Sequence, residues 1–231
     1  MGQPDQTRVR ASIRQFPLFV KLDKGQLDVL AEGARFLEVT RGDILWDNRT
    51  VAAGFYGVLD GRLKLALLSR CGREHVFDIL LPGRSFGEYT IQSSAPCPLY
   101  VEALIKSEVL CLNRNQVLSA VERWPELSRS LVGALTDDLH RLLNNLATCC
   151  LQSATQRVAH YLLSQAERTN TANSYGTVTL PVCKAIVACS LDLSAETFSR
   201  ELHRFEKDGL VAVNRRTIRI FDISRLQQFA F

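Results

Sequence analysis

The sequence lacks any apolar run long enough to cross a membrane. Its 231 residues contain nothing that approaches the roughly 18 consecutive apolar residues of a membrane-spanning helix. The apolar stretch from Phe16 to Val20 follows several arginines, but it is too short for the core of a secretory signal. We therefore expect a cytoplasmic protein that has no membrane as a partner.

The cysteines do not form a regular pattern. There are seven of them, an odd number, and no two stand in the C-x-x-C spacing of a structural zinc site. A secreted disulfide framework normally uses an even, regularly spaced set. The pattern therefore argues against both kinds of site and fits a reducing compartment.

Motifs of enzymes are almost entirely missing. The chain has no phosphate-binding loop, no H-E-x-x-H and no paired catalytic carboxylates. Residues 83–87 do match G-x-S-x-G, the nucleophile elbow of serine hydrolases, which needs a strand, a sharp turn and a helix. Pro96 and Pro98 follow closely and disfavour that helix. A hydrolase using Ser85 is therefore a remote alternative, and we predict that the protein is not an enzyme.

Composition indicates a globular protein with a modest basic excess. Hydrophobic residues make up 46% of the chain and charged residues 23%, which is close to the usual globular mix. The net charge is +4, and residues 151–231 alone carry 10 Lys+Arg against 7 Asp+Glu. The excess permits nucleic-acid binding without implying it.

Residues 36–112 have the pattern of short strands separated by turns. Turn residues recur at close intervals, among them Asp60-Gly61, Cys71-Gly72 and Pro82-Gly83. Evenly spaced short strands with such turns indicate an antiparallel sandwich or barrel. Gly61 and Gly72 are predicted to adopt positive φ, which costs glycine little.

A long helical stripe begins near Pro125, a residue suited to the first turn of a helix. Leucines recur every three or four residues over about seven turns, with polar residues between them. So narrow an apolar seam on so long a helix predicts dimerisation through a coiled coil; packing on the helix's own domain is the alternative. The predicted seam consists of Leu127, Leu131, Leu135, Leu139, Leu142 and Leu146.

The last third of the chain has the layout of a winged helix-turn-helix. A helical segment at 151–168 and a polar loop lead to a short strand at 177–180 and a short helix at 182–190. A tight turn, a second helix at 194–208 and a hairpin at 211–221 follow. Gly209 is placed to cap the end of the second helix.

The second helix carries side chains that suit DNA. Arginine matches the acceptors of guanine, a carboxylate can accept from cytosine, and serine can bond several base edges. Residues near the start of such a helix read bases, and later basic residues meet phosphates. A solvated helix face with chance charges is the alternative. The predicted DNA-binding residues are Ser194, Glu196, Thr197, Ser199, Arg200, Arg204 and Lys207.

The sequence resembles the CRP/FNR superfamily of bacterial transcription regulators over about residues 15–225. In the front half the likeness lies in R-G-D-I-L at 41–45, F-Y-G-V-L-D-G-R-L-K at 55–64 and L-P-G-R-S-F-G-E at 81–88. In the back half it lies in L-S-A-E-T-F-S-R at 193–200, which looks like the E-x-x-S-R signature of the FNR branch. Asp192 departs from the glycine that is common in the preceding turn.

The resemblance implies an α+β protein in three parts. These are an effector-sensing, cyclic-nucleotide-binding-type β-roll (1–120), a dimerisation helix (121–150) and a winged helix-turn-helix (151–231). It implies a homodimer that binds double-stranded DNA and has RNA polymerase as a further partner. Glu196, Ser199 and Arg200 would read a palindrome resembling TTGAT-N4-ATCAA in the major groove.

The resemblance also bears on the effector. Relatives that bind cyclic AMP follow a Gly-Glu pair, here Gly87 and Glu88, with an arginine and a serine or threonine that hold the phosphate. Cys97 and Pro98 occupy those positions, which leaves the phosphate charge without a partner. We therefore predict no cyclic-nucleotide binding in a pocket that comprises Gly87, Glu88, Cys97 and Tyr100.

Other sensing chemistries remain open. An oxygen-sensing iron–sulfur cluster is disfavoured, because no cysteine precedes Cys71. The E-T-F-S-R motif resembles nitric-oxide-responsive regulators of denitrification, which are thought to sense through haem. A small metabolite or a thiol switch is the alternative, for which the adjacent Cys149 and Cys150 are candidates, although Cys149 falls on the seam. The candidate haem ligands are Cys71, His75, His140 and His160.

Overall fold

The computed structural model describes residues 6–46, 54–69, 72, 74–91, 99–168 and 175–230. The chain forms two compact units, Met1–Arg141 and Leu142–Phe231. The division falls inside the long helix that the leucine stripe predicts. In the part of the chain that is described, no helix combines the length and the apolar character needed to cross a bilayer.

The first unit is built from short strands with helices before and after them. Its strands are β1 (Arg35–Val39), β2 (Ile44–Trp46), β3 (Gly54–Asp60), β4 (Leu63–Leu68), β5 (Glu74–Leu80), β6 (Ser85–Phe86), β7 (Leu99–Ala103) and β8 (Ser107–Asn113). Its helices are α1 (Gln6–Ile13), α2 (Lys24–Ala31), α3 (Arg114–Arg123) and the first part of α4 (Pro125–Leu151), with 3₁₀ turns at Pro17–Phe19 and Glu88–Thr90.

The strands form two antiparallel sheets, in the orders β1-β8-β3-β6 and β2-β7-β4-β5. One buried cluster takes side chains from both sheets, including Tyr56, Leu63, Val101 and Val109. The two sheets therefore share a core, and the predicted antiparallel sandwich or barrel is confirmed. Gly61 has φ +95°, and a Cβ there would lie 2.1 Å from Oγ of Ser107, so no larger residue fits this turn.

A second core joins the helices of this unit to the outer side of a sheet. Phe16 and Phe19 meet the ring of Phe55 edge-on, at centroid distances of 5.9 and 4.8 Å. Leu127 and Leu131, from the start of α4, belong to the same buried cluster. This packing fixes the start of α4 on its own domain.

The second unit combines helices with one small sheet. It contains the end of α4, then α5 (Ala154–Gln165), β9 (Glu167–Arg168), β10 (Gly176–Thr179), α6 (Lys184–Ser190), α7 (Ala195–Lys207), β11 (Val211–Asn214), β12 (Thr217–Ile220) and α8 (Ile223–Gln227). The strands pair antiparallel in the order β11-β12-β10-β9. This arrangement of α6, α7 and the β11–β12 hairpin matches the predicted winged helix-turn-helix.

Candidate nucleic-acid interface and sensor cavity

Helix α7 has well-defined ends and one buried face. The Ser194 hydroxyl accepts a hydrogen bond from the backbone N–H of Thr197 at 3.1 Å, which satisfies a donor of the first turn. At the other end Gly209 adopts φ +68°, as a helix-ending glycine does. Phe198, Leu202 and Phe205 are buried, so the predicted inward face is correct.

The opposite face of α7 is polar and open to solvent. The Arg200 side chain is 70% exposed and the His203 side chain 66%. Ser194 and Thr197 stand at the N-terminal end of this face and bond each other as well as the backbone, so both serve the cap. The exposed polar residues within α7 are Glu196, Ser199, Arg200, His203, Arg204 and Lys207. The structure thus brings the predicted DNA-binding residues together on one surface.

The turn that leads into α7 has an unusual backbone. Asp192, which stands where glycine is common, adopts φ +53°. Aspartate and asparagine tolerate this region better than other side chains. The departure from glycine therefore leaves the sharp turn intact.

The Arg157 side chain holds this turn. Its guanidinium donates to the carbonyl oxygens of Leu191 and Asp192 at 3.0 and 3.2 Å. It also donates to those of Cys149 at 2.8 Å and Gln152 at 3.0 Å. Cys149 lies in the last turn of α4, whose carbonyls have no partner within the helix. One partly buried cation thus ties the end of α4 to the helix-turn-helix. The sequence analysis missed this contact because it depends on residues far apart in the chain.

The wing adds a second basic surface. Asn214, Arg215 and Arg216 form the exposed turn between β11 and β12, and Arg215 adopts φ +53°. The Glu206 carboxylate of α7 accepts a hydrogen bond from the backbone N–H of Val213 at 2.8 Å, which fixes the hairpin against that helix. The arginine pair was visible in the sequence, but the pattern there indicated only a turn.

The first unit contains a cavity of about 300 Å³ beside the first part of α4. The N-terminal segment contributes Leu18 and Lys21, and residues 83–85 form a second wall. Residues of α4 between 130 and 141 close the remaining side. Most of the lining groups are polar or charged. The polar and charged residues of the lining include Arg84, Ser85, Glu88, Asp137 and Arg141, and Gly83 lies beside them.

Glu88 is the most buried charged group of this cavity. Only 5% of the residue is exposed, and burial raises the pKa of its carboxyl, an effect that the Ser85 hydrogen bond and the charges of Arg84 and Arg141 oppose. Arg84 is also bonded to Asp78 at 2.9 Å. Ser85 lies in a two-residue strand that is followed by a three-residue 3₁₀ turn, which differs from the strand, sharp turn and α-helix of a nucleophile elbow.

Tyr100 does not belong to this cavity. Its hydroxyl donates to Glu74, whose carboxylate also accepts from Nζ of Lys64 at 2.5 Å. Burial, with help from Glu74, raises the pKa of Tyr100 to about 12. Of the four predicted pocket residues, Gly87 and Glu88 lie together, Tyr100 bonds to Glu74, and Cys97 lies outside the described residues, so the pocket stays a prediction.

The candidate haem ligands are not brought together. His75 lies in β5, His140 is exposed on α4, and Cys71 is outside the described residues. His160 lines a cavity of about 500 Å³ in the second unit, together with amide and hydroxyl side chains. Among the residues described, no three His, Cys, Asp or Glu side chains form a metal-binding group.

The leucine stripe of α4 divides into two parts. Leu127 is 0% exposed and Leu131 6%, both inside the core of the first unit, and Leu135 packs partly against it. Leu127 and Leu131 therefore do not form part of the predicted seam, because their own domain already covers them. The exposed apolar residues of α4 are Val132 at 64%, Leu139 at 54%, Leu142 at 48%, Leu143 at 53%, Leu146 at 60% and Leu151 at 81%.

Two family models match the chain. The cyclic nucleotide-binding domain matches residues 36–123, and the Crp-like helix-turn-helix domain matches residues 156–229. The two matches coincide with the strands of the first unit and with the helix-turn-helix and wing of the second. They define the class of protein as a DNA-binding transcription regulator rather than an enzyme. Its β-roll is of the kind that binds ligands.

Similarity to known proteins extends over nearly the whole chain. A CRP-like cAMP-activated global transcriptional regulator of Mycobacterium tuberculosis is 25% identical over 92% of this chain and 96% of its own. The nitrogen fixation regulation protein FixK of Bradyrhizobium diazoefficiens is 24% identical over 95% of this chain and 92% of its own. The structure of FixK2 from Bradyrhizobium japonicum superposes with a TM-score of 0.74 at 23% identity, covering 86% of this chain and 98% of that one. The chain belongs to the CRP/FNR superfamily of transcription regulators, and the predicted α+β fold is confirmed.

Proposed function

We propose that the protein is a cytoplasmic homodimer that reads a DNA palindrome and responds to a small molecule bound in the first unit. RNA polymerase is its further partner at the promoter. The observation that carries the proposal is the exposed face of α7, where Glu196, Ser199 and Arg200 stand on a capped helix. Helix α7 is held by a packed inner face and an anchored turn, so these side chains are presented on a rigid support.

Each of the three side chains has a partner in the major groove. The guanidinium of Arg200 matches the O6 and N7 acceptors of guanine, and the carboxylate of Glu196 can accept from the amino group of cytosine. Ser199 can bond either kind of edge. The family signature that these residues match implies the half-site TTGAT and the palindrome TTGAT-N4-ATCAA. Arg204 and Lys207 lie later on the helix, where basic residues meet phosphates.

The exposed apolar face of α4 supports the dimer. Val132, Leu139 and Leu146 are seven residues apart and 54–64% exposed, which is the spacing of a coiled-coil position. A second copy of the helix would cover them. A two-fold dimer then places the recognition helices on half-sites about 34–36 Å apart, one turn of DNA.

The cavity beside α4 supports a small polar effector. It combines the buried carboxyl of Glu88 with two guanidinium groups, so it offers hydrogen-bond donors and acceptors beside its apolar lining. The cavity is close to α4, so a ligand there could alter the position of that helix. Isothermal calorimetry with cyclic AMP and cyclic GMP should detect no binding, because Cys97 and Pro98 replace the phosphate-holding pair.

Nitric oxide sensing through haem is the other candidate effector chemistry, and it is supported by the E-T-F-S-R motif alone. Anaerobic reconstitution tests it directly. A stoichiometric Soret band that shifts with nitric oxide would establish it, whereas a colourless protein would leave the cavity ligand as the effector. A thiol switch at Cys149 is less favoured, because burial raises the pKa of that thiol and lowers its thiolate fraction.

DNA binding is tested with Arg200→Ala. We expect a loss of about 1–3 kcal/mol per half-site on the palindrome and relaxed discrimination at the contacted base pair. Arg225→Ala removes the same charge from an exposed site on α8 and serves as the control, which should bind as the wild type does. Equal binding of Arg200→Ala and wild type would refute the assignment of base reading to this residue.

A further inference from the structure

Glu201 is a buried acid in the middle of the recognition helix, between two exposed arginines. Its side chain is only 10% exposed, whereas those of the neighbouring Arg200 and Arg204 are 70% and 55% exposed. A carboxylate near a polyanion opposes binding, and a buried charge is costly unless it is paired. Neither cost is needed to build an amphipathic helix, for which an apolar side chain would serve.

The carboxylate of Glu201 has partners on both of its oxygens. Oε2 accepts a hydrogen bond from Oγ1 of Thr155 at 2.8 Å and lies 3.8 Å from Nη1 of Arg204. The same Arg204 nitrogen lies 3.4 Å from Oγ1 of Thr155, to which it donates. Oε1 lies 3.9 Å from Nε of Arg200. One buried group thus links the first turn of α5 to two arginines of the DNA-facing surface.

We infer that Glu201 is a specificity-determining positioning residue. It holds the guanidinium groups of Arg200 and Arg204 in a limited range of orientations before DNA arrives, and it fixes the rotation of α7 against α5 through Thr155. The inference rests on the proposed function, in which Arg200 reads a base and Arg204 meets the backbone.

The physical reason is the cost of ordering a long side chain. Immobilising a flexible arginine on binding is unfavourable, and an arginine that is already restrained loses less freedom. Base reading depends on the exact placement of the guanidinium fork, whereas non-specific binding depends mainly on charge. Glu201 should therefore favour the specific complex and slightly oppose the non-specific one.

The test compares Glu201→Gln with a matched variant. Glutamine keeps the size and can still accept from Thr155, but it removes the charge that holds the arginines. Glu206→Gln removes the same charge from the same helix, away from that cluster, and retains an acceptor for the N–H of Val213. Thr155→Val removes the hydroxyl without changing the charge.

Dissociation constants are measured by fluorescence anisotropy on full-length protein over a series of salt concentrations. The probes are the TTGAT-N4-ATCAA duplex and a scrambled duplex; if selection from random duplexes with wild type returns a different palindrome, that sequence replaces the first. For Glu201→Gln we expect about tenfold weaker specific binding with non-specific binding unchanged or tighter. Thr155→Val should show a smaller loss of the same kind. Glu206→Gln should shift both affinities equally and leave their ratio unchanged.

Two results would overturn the inference. One is a specificity ratio of Glu201→Gln equal to that of wild type. The other is a parallel loss of both affinities together with a lower melting temperature, which would mean that Glu201 only docks the helix. Failure of the wild type to enrich any sequence from random duplexes is a different result. It would refute the proposed function, because a protein without sequence preference has no specificity that Glu201 could determine.

Discussion

The two halves of α4 carry the same leucine spacing and meet opposite surroundings. In the first half, Leu127 and Leu131 are enclosed by the helices and strands of their own unit. In the second half, Leu142 and Leu146 are 48% and 60% exposed. The spacing determines which side chains share a face, and only the neighbouring elements determine whether that face is already covered.

The two halves of α4 therefore have different roles. The buried half attaches α4 to the rest of the first unit, and its neighbouring side chains close the cavity that contains Glu88. The exposed half is free to pair with a second copy. The leucine stripe, which was expected to act as one seam, is thus a buried anchor followed by an exposed apolar face, and substitutions can separate the two.

Leu127→Ala should have the largest effect on folding. It removes a fully buried side chain and leaves a cavity, so we expect the free energy of unfolding to fall by about 4 kcal/mol. Chemical denaturation followed by circular dichroism measures it. Leu139→Ala is the matched control from the exposed half, and a loss as large as that of Leu127→Ala would show that the halves are not distinct.

The double variant Leu142→Asp/Leu146→Asp should break the dimer and leave the fold intact. Two carboxylates on the seam would be desolvated and would repel those of the partner, so we expect association to weaken by about 3 kcal/mol, roughly 100-fold. Sedimentation velocity measures the assembly. A dimer of unchanged strength would place the interface elsewhere.

Arg157→Lys should loosen the connection between the end of α4 and the turn before α7. Lysine keeps the charge but cannot reach four carbonyl oxygens with one planar fork, so we expect the free energy of unfolding to fall by about 2 kcal/mol. Hydrogen exchange should increase at residues 190–194 in particular. Arg225→Lys, at an exposed arginine, should leave both measurements unchanged.

Glu88→Gln should have the smallest effect, and its sign should depend on pH. Burial raises the pKa of Glu88 from its ordinary value of 4.5. The contribution of this carboxyl to stability is therefore complete below pH 4.5 and is lost as the pH rises through the folded pKa. The glutamine variant should melt at a higher temperature than wild type at pH 8, and the difference should vanish near pH 4.

Glu126, in the first turn of α4, supplies the contrast. A hydrogen bond from Gln26 lowers the pKa of this partly exposed carboxyl, so its contribution is present above pH 4.5 and lost as the pH falls. Glu126→Gln should therefore melt below wild type at pH 8. Two carboxyls beside the same helix would then show opposite pH dependence, and identical profiles would contradict this account of their environments.

By itself, the sequence determined the order of the elements and the composition of their faces. The turn at Gly61, the cap at Ser194 and the inward face of Phe198, Leu202 and Phe205 depend on residues close together in the chain. Local conformation and periodicity encode such features directly. The same reasoning identified the winged helix-turn-helix and the exposed residues that suit DNA.

The tertiary structure alone decided which of these faces meet one another. It buried Leu127 and Leu131 in the sensor unit, directed Tyr100 to Glu74 rather than to Glu88, and gave Arg157 four carbonyl partners from separate segments. It also turned Glu201 inward toward Thr155, 46 residues earlier in the chain. These contacts join residues remote in sequence, and no local pattern specifies them, because periodicity defines a surface without naming what packs against it.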